Sequence, residues 1–142
     1  MIDAKVRFSS KSVEWSTPQD FFDALDAEFQ FTLDACADHD NAKCDRYFTV
    51  KDNGLAQRFD GERVWCNPPY GRYIGKWIQK CATEPSEVTV MLIPARTDTK
   101  IWHEYIFGHA EIRFVKGRLK FGGHKWNAPF PCAVVIFRNN NR

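Results

Sequence analysis

Apolar positions along the chain change their period several times, and each change marks an element. Phe21, Phe22, Leu25 and Phe29 recur at helical spacing behind Trp15-Ser16-Thr17-Pro18, where hydroxyl side chains and then a proline signal a helix start. This pattern predicts a helix over about residues 18–28. Phe29-Gln30-Phe31-Thr32-Leu33-Asp34 then alternates and predicts a strand that ends among the small residues Ala35, Cys36 and Ala37. Asn53-Gly54 is a strong turn signal. Arg63-Val64-Trp65-Cys66 predicts a second strand, and Tyr73, Ile74, Trp77, Ile78 and Cys81 mark one face of a helix over about 73–82. Val88-Thr89-Val90-Met91-Leu92-Ile93 is a continuous apolar run, as expected of a central strand buried on both faces.

Ile101, Trp102, Tyr105 and Ile106 predict another helix, with Thr97 or Thr99 placed to cap it. Glu111-Ile112-Arg113-Phe114-Val115 predicts a strand. Gly117-Arg118-Leu119-Lys120-Phe121 alternates like an edge strand that carries Arg118 and Lys120 on one face. An irregular loop over 122–131 leads to a last strand, Ala133-Val134-Val135-Ile136-Phe137. There is no internal repeat.

Length and composition add bounds. At 142 residues the chain is one domain, able to bury about two-thirds of its unfolded surface. Residues 1–12 are expected to be a polar flexible arm, 13–138 the domain and 139–142 a polar tail. No apolar run approaches a membrane span, and the first residues lack the apolar core of a signal peptide, so a soluble, unexported protein is expected. The 5 cysteines are odd in number and scattered without a Cys-x-x-Cys, which argues against a disulfide framework or structural zinc and fits a reducing compartment. Asp38-His39-Asp40 reads as a solvated polar loop rather than a cation site, and no metal is expected. A net charge of +2 permits nucleic-acid binding without demanding it.

The most informative chemistry lies in Asn67-Pro68-Pro69-Tyr70-Gly71. Two prolines remove two backbone donors and restrict the residues before them to extended conformations. Asn67 and Pro68 thereby offer an amide oxygen and a backbone carbonyl from a stiff loop, with the aromatic face of Tyr70 following. Two fixed acceptors beside a ring suit the activation of a planar amino group such as the exocyclic nitrogen of adenine. Its lone pair is delocalised, and acceptors for both hydrogens favour the pyramidal, nucleophilic form as charge develops. A plain strand-ending turn is the competing reading of the same tetrapeptide.

The tetrapeptide resembles motif IV of the amino-group methyltransferases that use S-adenosylmethionine. Trp15-Ser16-Thr17-Pro18, Leu33-Asp34, Asn67-Pro68-Pro69-Tyr70-Gly71, Pro94-Ala95-Arg96-Thr97-Asp98-Thr99 and Gly117-Arg118-Leu119-Lys120-Phe121 stand in the order found in the small phage-encoded DNA N6-adenine methyltransferases. The resemblance spans about residues 13 to 138. It implies an α/β fold, a doubly wound, mostly parallel sheet with an antiparallel last strand: an abbreviated Rossmann-like methyltransferase fold. The abbreviation falls between Asp34 and Asn67, where at least one strand–helix unit must be shortened.

It further implies S-adenosylmethionine as donor and a flipped-out adenine of double-stranded DNA as acceptor. The catalytic set would be Asn67, Pro68, Pro69 and Tyr70, with Tyr70 stacking on the base. Trp15, Thr17 and Pro18 (motif X), Asp34, Ala35 and Cys36 (a variant of motif I), Asp52 and Asn67 would approach the cofactor, although a surface turn is the favoured reading of Asp52. Asp38-His39-Asp40-Asn41-Ala42 stands where a Gly-x-Gly usually follows motif I. Arg72, Arg96, Arg118 and Lys120 are candidates for DNA phosphates, although Arg96 could instead hold its loop to Asp98. Location in the cytoplasm of a bacterial host, phage or prophage origin, and a monomer or weak homodimer complete the expectation.

Other readings remain open at this level. The same loop serves amino groups of RNA guanine or protein glutamine. A non-catalytic nucleic-acid-binding or phage assembly module could keep the fold. Pro131-Cys132 offers a superficial nucleophile for cytosine C5 chemistry, but that cysteine opens an apolar strand.

Overall fold

The polypeptide builds a five-stranded sheet in the order β1-β2-β3-β5-β4, with strands β1 (Leu33–Asp34), β2 (Arg63–Cys66), β3 (Val88–Pro94), β4 (Glu111–Phe114) and β5 (Cys132–Phe137). The structure, a computed structural model, describes residues 15–138; the expected arm over 1–12 and the tail over 139–142 lie outside them. Strands β1, β2 and β3 are parallel, and β5 runs antiparallel to both β3 and β4. The result is a mixed α/β fold with a mostly parallel sheet whose antiparallel member is, as expected, the last strand.

Helix α1 (Gln19–Phe29) begins without a side-chain cap; the Pro18 carbonyl accepts the Phe22 N–H at 3.1 Å. The expected hydroxyl cap is therefore not formed. The helix also runs one residue further than its apolar spacing predicts, and this shortens the strand behind it. Gln30 takes a left-handed φ of 53° and donates its N–H to the Asp26 carbonyl, while the Asp26 carboxylate accepts the Phe31 N–H at 2.8 Å. Such a backbone costs a non-glycine residue roughly 1–2 kcal/mol. Arg63 Nε, donating to the Gln30 carbonyl at 2.7 Å, helps to offset that cost and ties the helix end to β2. Only Leu33 and Asp34 remain to pair with β2, so the strand predicted from Phe29 is confined to its last two residues.

Helix α2 (Ile74–Thr83) connects β2 to β3 and buries Trp77, Ile78, Cys81 and Ala82. Side chains alternate across a strand. Trp65 meets Phe22 of α1 with ring centroids 5.3 Å apart, whereas its neighbour Cys66 lies against Cys81 of α2. The expected shortening between β1 and β2 is observed: residues 35–62 hold a single bridge from Tyr47 to Asp34 and a 3-10 turn, Gly54–Ala56, with no α-helix. Gly54 is buried because a β-carbon there would lie 2.4 Å from the Ala35 carbonyl oxygen and 2.9 Å from the Trp77 ring.

Two further expectations change. The helix after β3 is mainly a π-helical turn, Trp102–Ile106, closed by the Phe107 N–H on the Trp102 carbonyl. It drives Trp102 and Ile106 into the core, and the Thr99 hydroxyl donates back to the Arg96 carbonyl rather than capping it. The stretch 117–121 is not a strand. Gly117, at φ 75°, turns the chain, the Leu119 carbonyl accepts the Ala128 N–H, and Phe121 is buried. The alternation thus belongs to a loop folded on itself. Strands β3 and β5 are buried along their whole length and form the core.

Candidate active site

The register of the parallel strands sets the site. Asp34 pairs with Trp65 and Cys66 with Met91, so β1, β2 and β3 end at one rim of the sheet. Ligands of open α/β sheets gather beyond such ends. A cleft opens here between β1 and β2, lined by Trp15–Thr17, Asp34, Cys36–Asp38, Asn41, Lys43, Val50, Trp65 and Asn67–Pro69. Asn67 and Asp34 both line it.

Asp34 is 2% exposed. Its Oδ1 accepts the Cys36 N–H at 3.3 Å and its Oδ2 the Lys43 N–H at 3.0 Å. Burial nevertheless dominates and pushes its carboxyl up to about 6, against the lowering effect of those two bonds. Burial also lowers the Lys43 ammonium from its ordinary range. The loop that replaces Gly-x-Gly satisfies itself: Asp38 Oδ1 accepts the N–H groups of Asp40 and Asn41, and Asn41 Oδ1 accepts that of Asp38.

Asn67 is held on both sides. Its Nδ2 donates to the Trp15 carbonyl at 2.5 Å and to Thr17 Oγ1 at 2.9 Å. On the other side the Tyr70 hydroxyl lies 2.6 Å from Asn67 Oδ1 and 2.8 Å from the Leu92 carbonyl oxygen. Tyr70 is 7% exposed and stands edge-on to Phe121 and Phe130, so its ring does not line the cleft. Burial raises its phenol well above the usual range. A ring already offered to the cleft, as the sequence suggests, is therefore not the arrangement seen.

The DNA N-6-adenine-methyltransferase (Dam) family model matches residues 6–140. The chain belongs to this family. It is 30% identical over 110 residues to the "DNA N-6-adenine-methyltransferase" of Escherichia phage T1, a match that covers 74% of this chain and 45% of that protein. It is 40% identical over 65 residues to the "Putative methyltransferase YfdM" of Escherichia coli (strain K12), covering 40% of this chain and 70% of that one. This Dam-family chain thus spans just under half the length of the phage T1 relative.

Of the other residues singled out in sequence, Trp15, Thr17 and Cys36 line the cleft of this Dam-family chain. Ala35 is fully buried behind it, and Pro18 serves α1. Asp52 closes a turn by accepting the N–H and hydroxyl of Thr49, and it does not reach the cleft. Arg72 lies over the Tyr73 ring and Arg96 over the Phe130 ring; both are exposed, as are Arg118 and Lys120 on the loop between β4 and β5. Cys132 is 1% exposed, and burial pushes its thiol up to about 11, which leaves it a poor nucleophile. Sequence reasoning missed Lys43, Asn41 and Val50 as cleft residues. Their only signal is position, in the loop that leaves a strand end. None of the five cysteines is in a disulfide, and no helix among the described residues is long and apolar enough to cross a membrane.

Proposed function

We propose that this chain transfers a methyl group from S-adenosylmethionine to the exocyclic amine of a flipped-out adenine in double-stranded DNA, on an abbreviated, doubly wound Rossmann-like sheet. The observation that carries the reading is the cleft shared by Asn67 and the buried Asp34 at adjacent ends of parallel strands. The donor set suits one end of the cofactor. A buried carboxylate whose ionisation is costly gains most from a cation beside it, and Cys36 and Ala37 are small enough to let a ligand approach the backbone. When bound, S-adenosylmethionine supplies an electrophilic methyl carbon.

The chain's own residues act on the other partner. Asn67 Oδ1 has two lone pairs. In the enclosed position the Tyr70 hydroxyl approaches one, which leaves the other for an N–H of the base, and a Tyr70 ring that moves onto the base frees both. The Pro68 carbonyl is the acceptor for the second hydrogen. Together they hold the amine in the nucleophilic geometry, and they stabilise the positive charge that grows on it as the N–C bond forms and until the surplus proton passes to water. Stacking of Tyr70 on the base, worth roughly 1–3 kcal/mol, requires its ring to leave Phe121 and Phe130 and so belongs to the DNA-bound protein.

Charge distribution supports DNA as the partner. The rim segments that follow β2, β3 and β4 (67–76, 95–100 and 115–131) carry eight lysines and arginines (Arg72, Lys76, Arg96, Lys100, Lys116, Arg118, Lys120, Lys125) against one acid, Asp98, whereas the loop after β1 (35–50) holds Asp38, Asp40 and Asp45 against Lys43 and Arg46. Trp126, 74% exposed with Lys125 over its ring, adds an aromatic surface among them. These segments contact phosphates and read the target, with Arg72, Arg96, Arg118 and Lys120 among the contacts. The deciding experiment offers labelled cofactor to DNA, RNA and protein in parallel and identifies the product. N6-methyladenine in DNA is expected; label confined to RNA, to glutamine or to nothing overturns the proposal.

A further inference from the structure

We infer that Thr17, with the backbone carbonyl of Trp15, is a positioning element for the Asn67 amide rather than a cofactor contact. The inference rests on the methyl-transfer reading for its kinetic consequence, and on hydrogen-bond geometry alone for its structural part.

Residues 15–17 form a strap across one side of the cleft. Thr17 is 4% exposed, and its hydroxyl, although placed just before a helix, caps nothing. Instead it accepts one hydrogen of Asn67 Nδ2, and the Trp15 carbonyl accepts the other. An amide can sit two ways round. Turned over, Asn67 would set Oδ1 against the Trp15 carbonyl, acceptor against acceptor, with no hydrogen between them. The strap therefore fixes the amide with its nitrogen towards residues 15–17 and its oxygen towards Tyr70. Donation of both hydrogens also polarises the amide and strengthens Oδ1 as an acceptor.

The strap is itself anchored. The Gly122 N–H donates to the Ser16 carbonyl at 2.9 Å. The Trp15 ring lies flat on His124, with centroids 4.0 Å apart and planes 7° from parallel, and edge-on to Phe121 and Phe130. The amide is thus joined through residues 15–16 to the basic loop between β4 and β5. Asparagine at position 67 follows from this arrangement. An aspartate would keep an acceptor but bring an anionic oxygen to the Trp15 carbonyl and lose both donations.

Thr17→Val removes the acceptor at nearly constant volume, and Thr17→Ser restores it. Three readouts separate a positioning role from the alternatives: the single-turnover rate at saturating cofactor, the cofactor Kd by calorimetry, and hydrogen exchange of the Asn67 side-chain amide by NMR. Thr17→Val is expected to slow the chemical step roughly 100-fold, to leave the Kd unchanged and to speed exchange of one amide hydrogen; Thr17→Ser should reverse both changes. A raised Kd with the rate at saturation intact, or an exchange pattern that does not move, overturns the inference. Asn67→Asp guards against a valine variant that fails to fold: it should bind cofactor and transfer nothing, and transfer at the normal rate overturns the inference equally. An unsubstituted protein without methyl transfer would count against the proposed reaction, while the exchange measurement would still decide the strap.

Discussion

Asp34 makes stability depend on pH in a direction opposite to that of most carboxylates. Its folded-state value of about 6 lies above the ordinary 3.8, so the folded protein holds this proton more tightly than the unfolded chain. The stability linked to that proton is fully present below 3.8 and is lost as pH rises through about 6. At 1.36 kcal/mol for each tenfold change, the gap amounts to about 3 kcal/mol. The side chain is 2% exposed, so solvent screening does not reduce it. Asp34→Asn abolishes the titration. It keeps one acceptor for the Lys43 or Cys36 N–H and sets an NH₂ against the other, a penalty that does not vary with pH. Urea unfolding of both proteins across the interval from pH 4 to pH 7 is the assay. Other titrations are shared and cancel in the difference, so the unsubstituted protein should lose about 2 kcal/mol relative to the variant over this range, the part of the gap that falls above pH 4. Parallel profiles would refute the account of a costly buried anion. With saturating S-adenosylmethionine the loss should shrink, because a cation beside Asp34 favours its ionised form.

Asn67→Ala should fold and bind cofactor yet lower the rate of methyl transfer by about 100- to 1,000-fold in single-turnover assays, the scale of removing one preorganised polar group from a transition state. Gly54→Ala would force a β-carbon to within 2.4 Å of the Ala35 carbonyl. Overpacking of this kind costs about 1–3 kcal/mol, measurable as a lower Tm, with weaker cofactor binding because Ala35 backs the cleft. Replacing Arg118 and Lys120 together by alanine should weaken DNA binding on all sequences alike and reduce the slope of log Kd against log salt by about 0.9 for each phosphate no longer neutralised. An unchanged slope would remove that loop from the interface.

Much of the scaffold was legible because burial leaves a local trace. The uninterrupted apolar run at Val88–Ile93 marks the central strand, and Trp77, Ile78 and Cys81 mark the buried face of α2. The errors came from signals that long-range partners redirected. Ser16-Thr17-Pro18 has the composition of a helix cap, but the Thr17 hydroxyl is taken by Asn67, 50 residues away. Gly117-Arg118-Leu119-Lys120-Phe121 alternates like a strand, but a left-handed glycine and the Leu119–Ala128 bond fold it back. At the site, the place of Asn67 on the cleft was legible from its loop. The enclosure of Tyr70 was not, because it depends on Phe121, Phe130 and the Leu92 carbonyl, which meet only in three dimensions.

The position of β5 bears on how the molecule assembles. It is the last strand in order among the described residues, yet it lies between β3 and β4 and bonds to both, six residues against the first and four against the second. Until residues 132–137 leave the ribosome, the two neighbours cannot meet and β3 keeps one apolar edge bare. Nascent chains must pass through that exposed stage, when they are most open to aggregation, and the closing step joins segments far apart along the polymer.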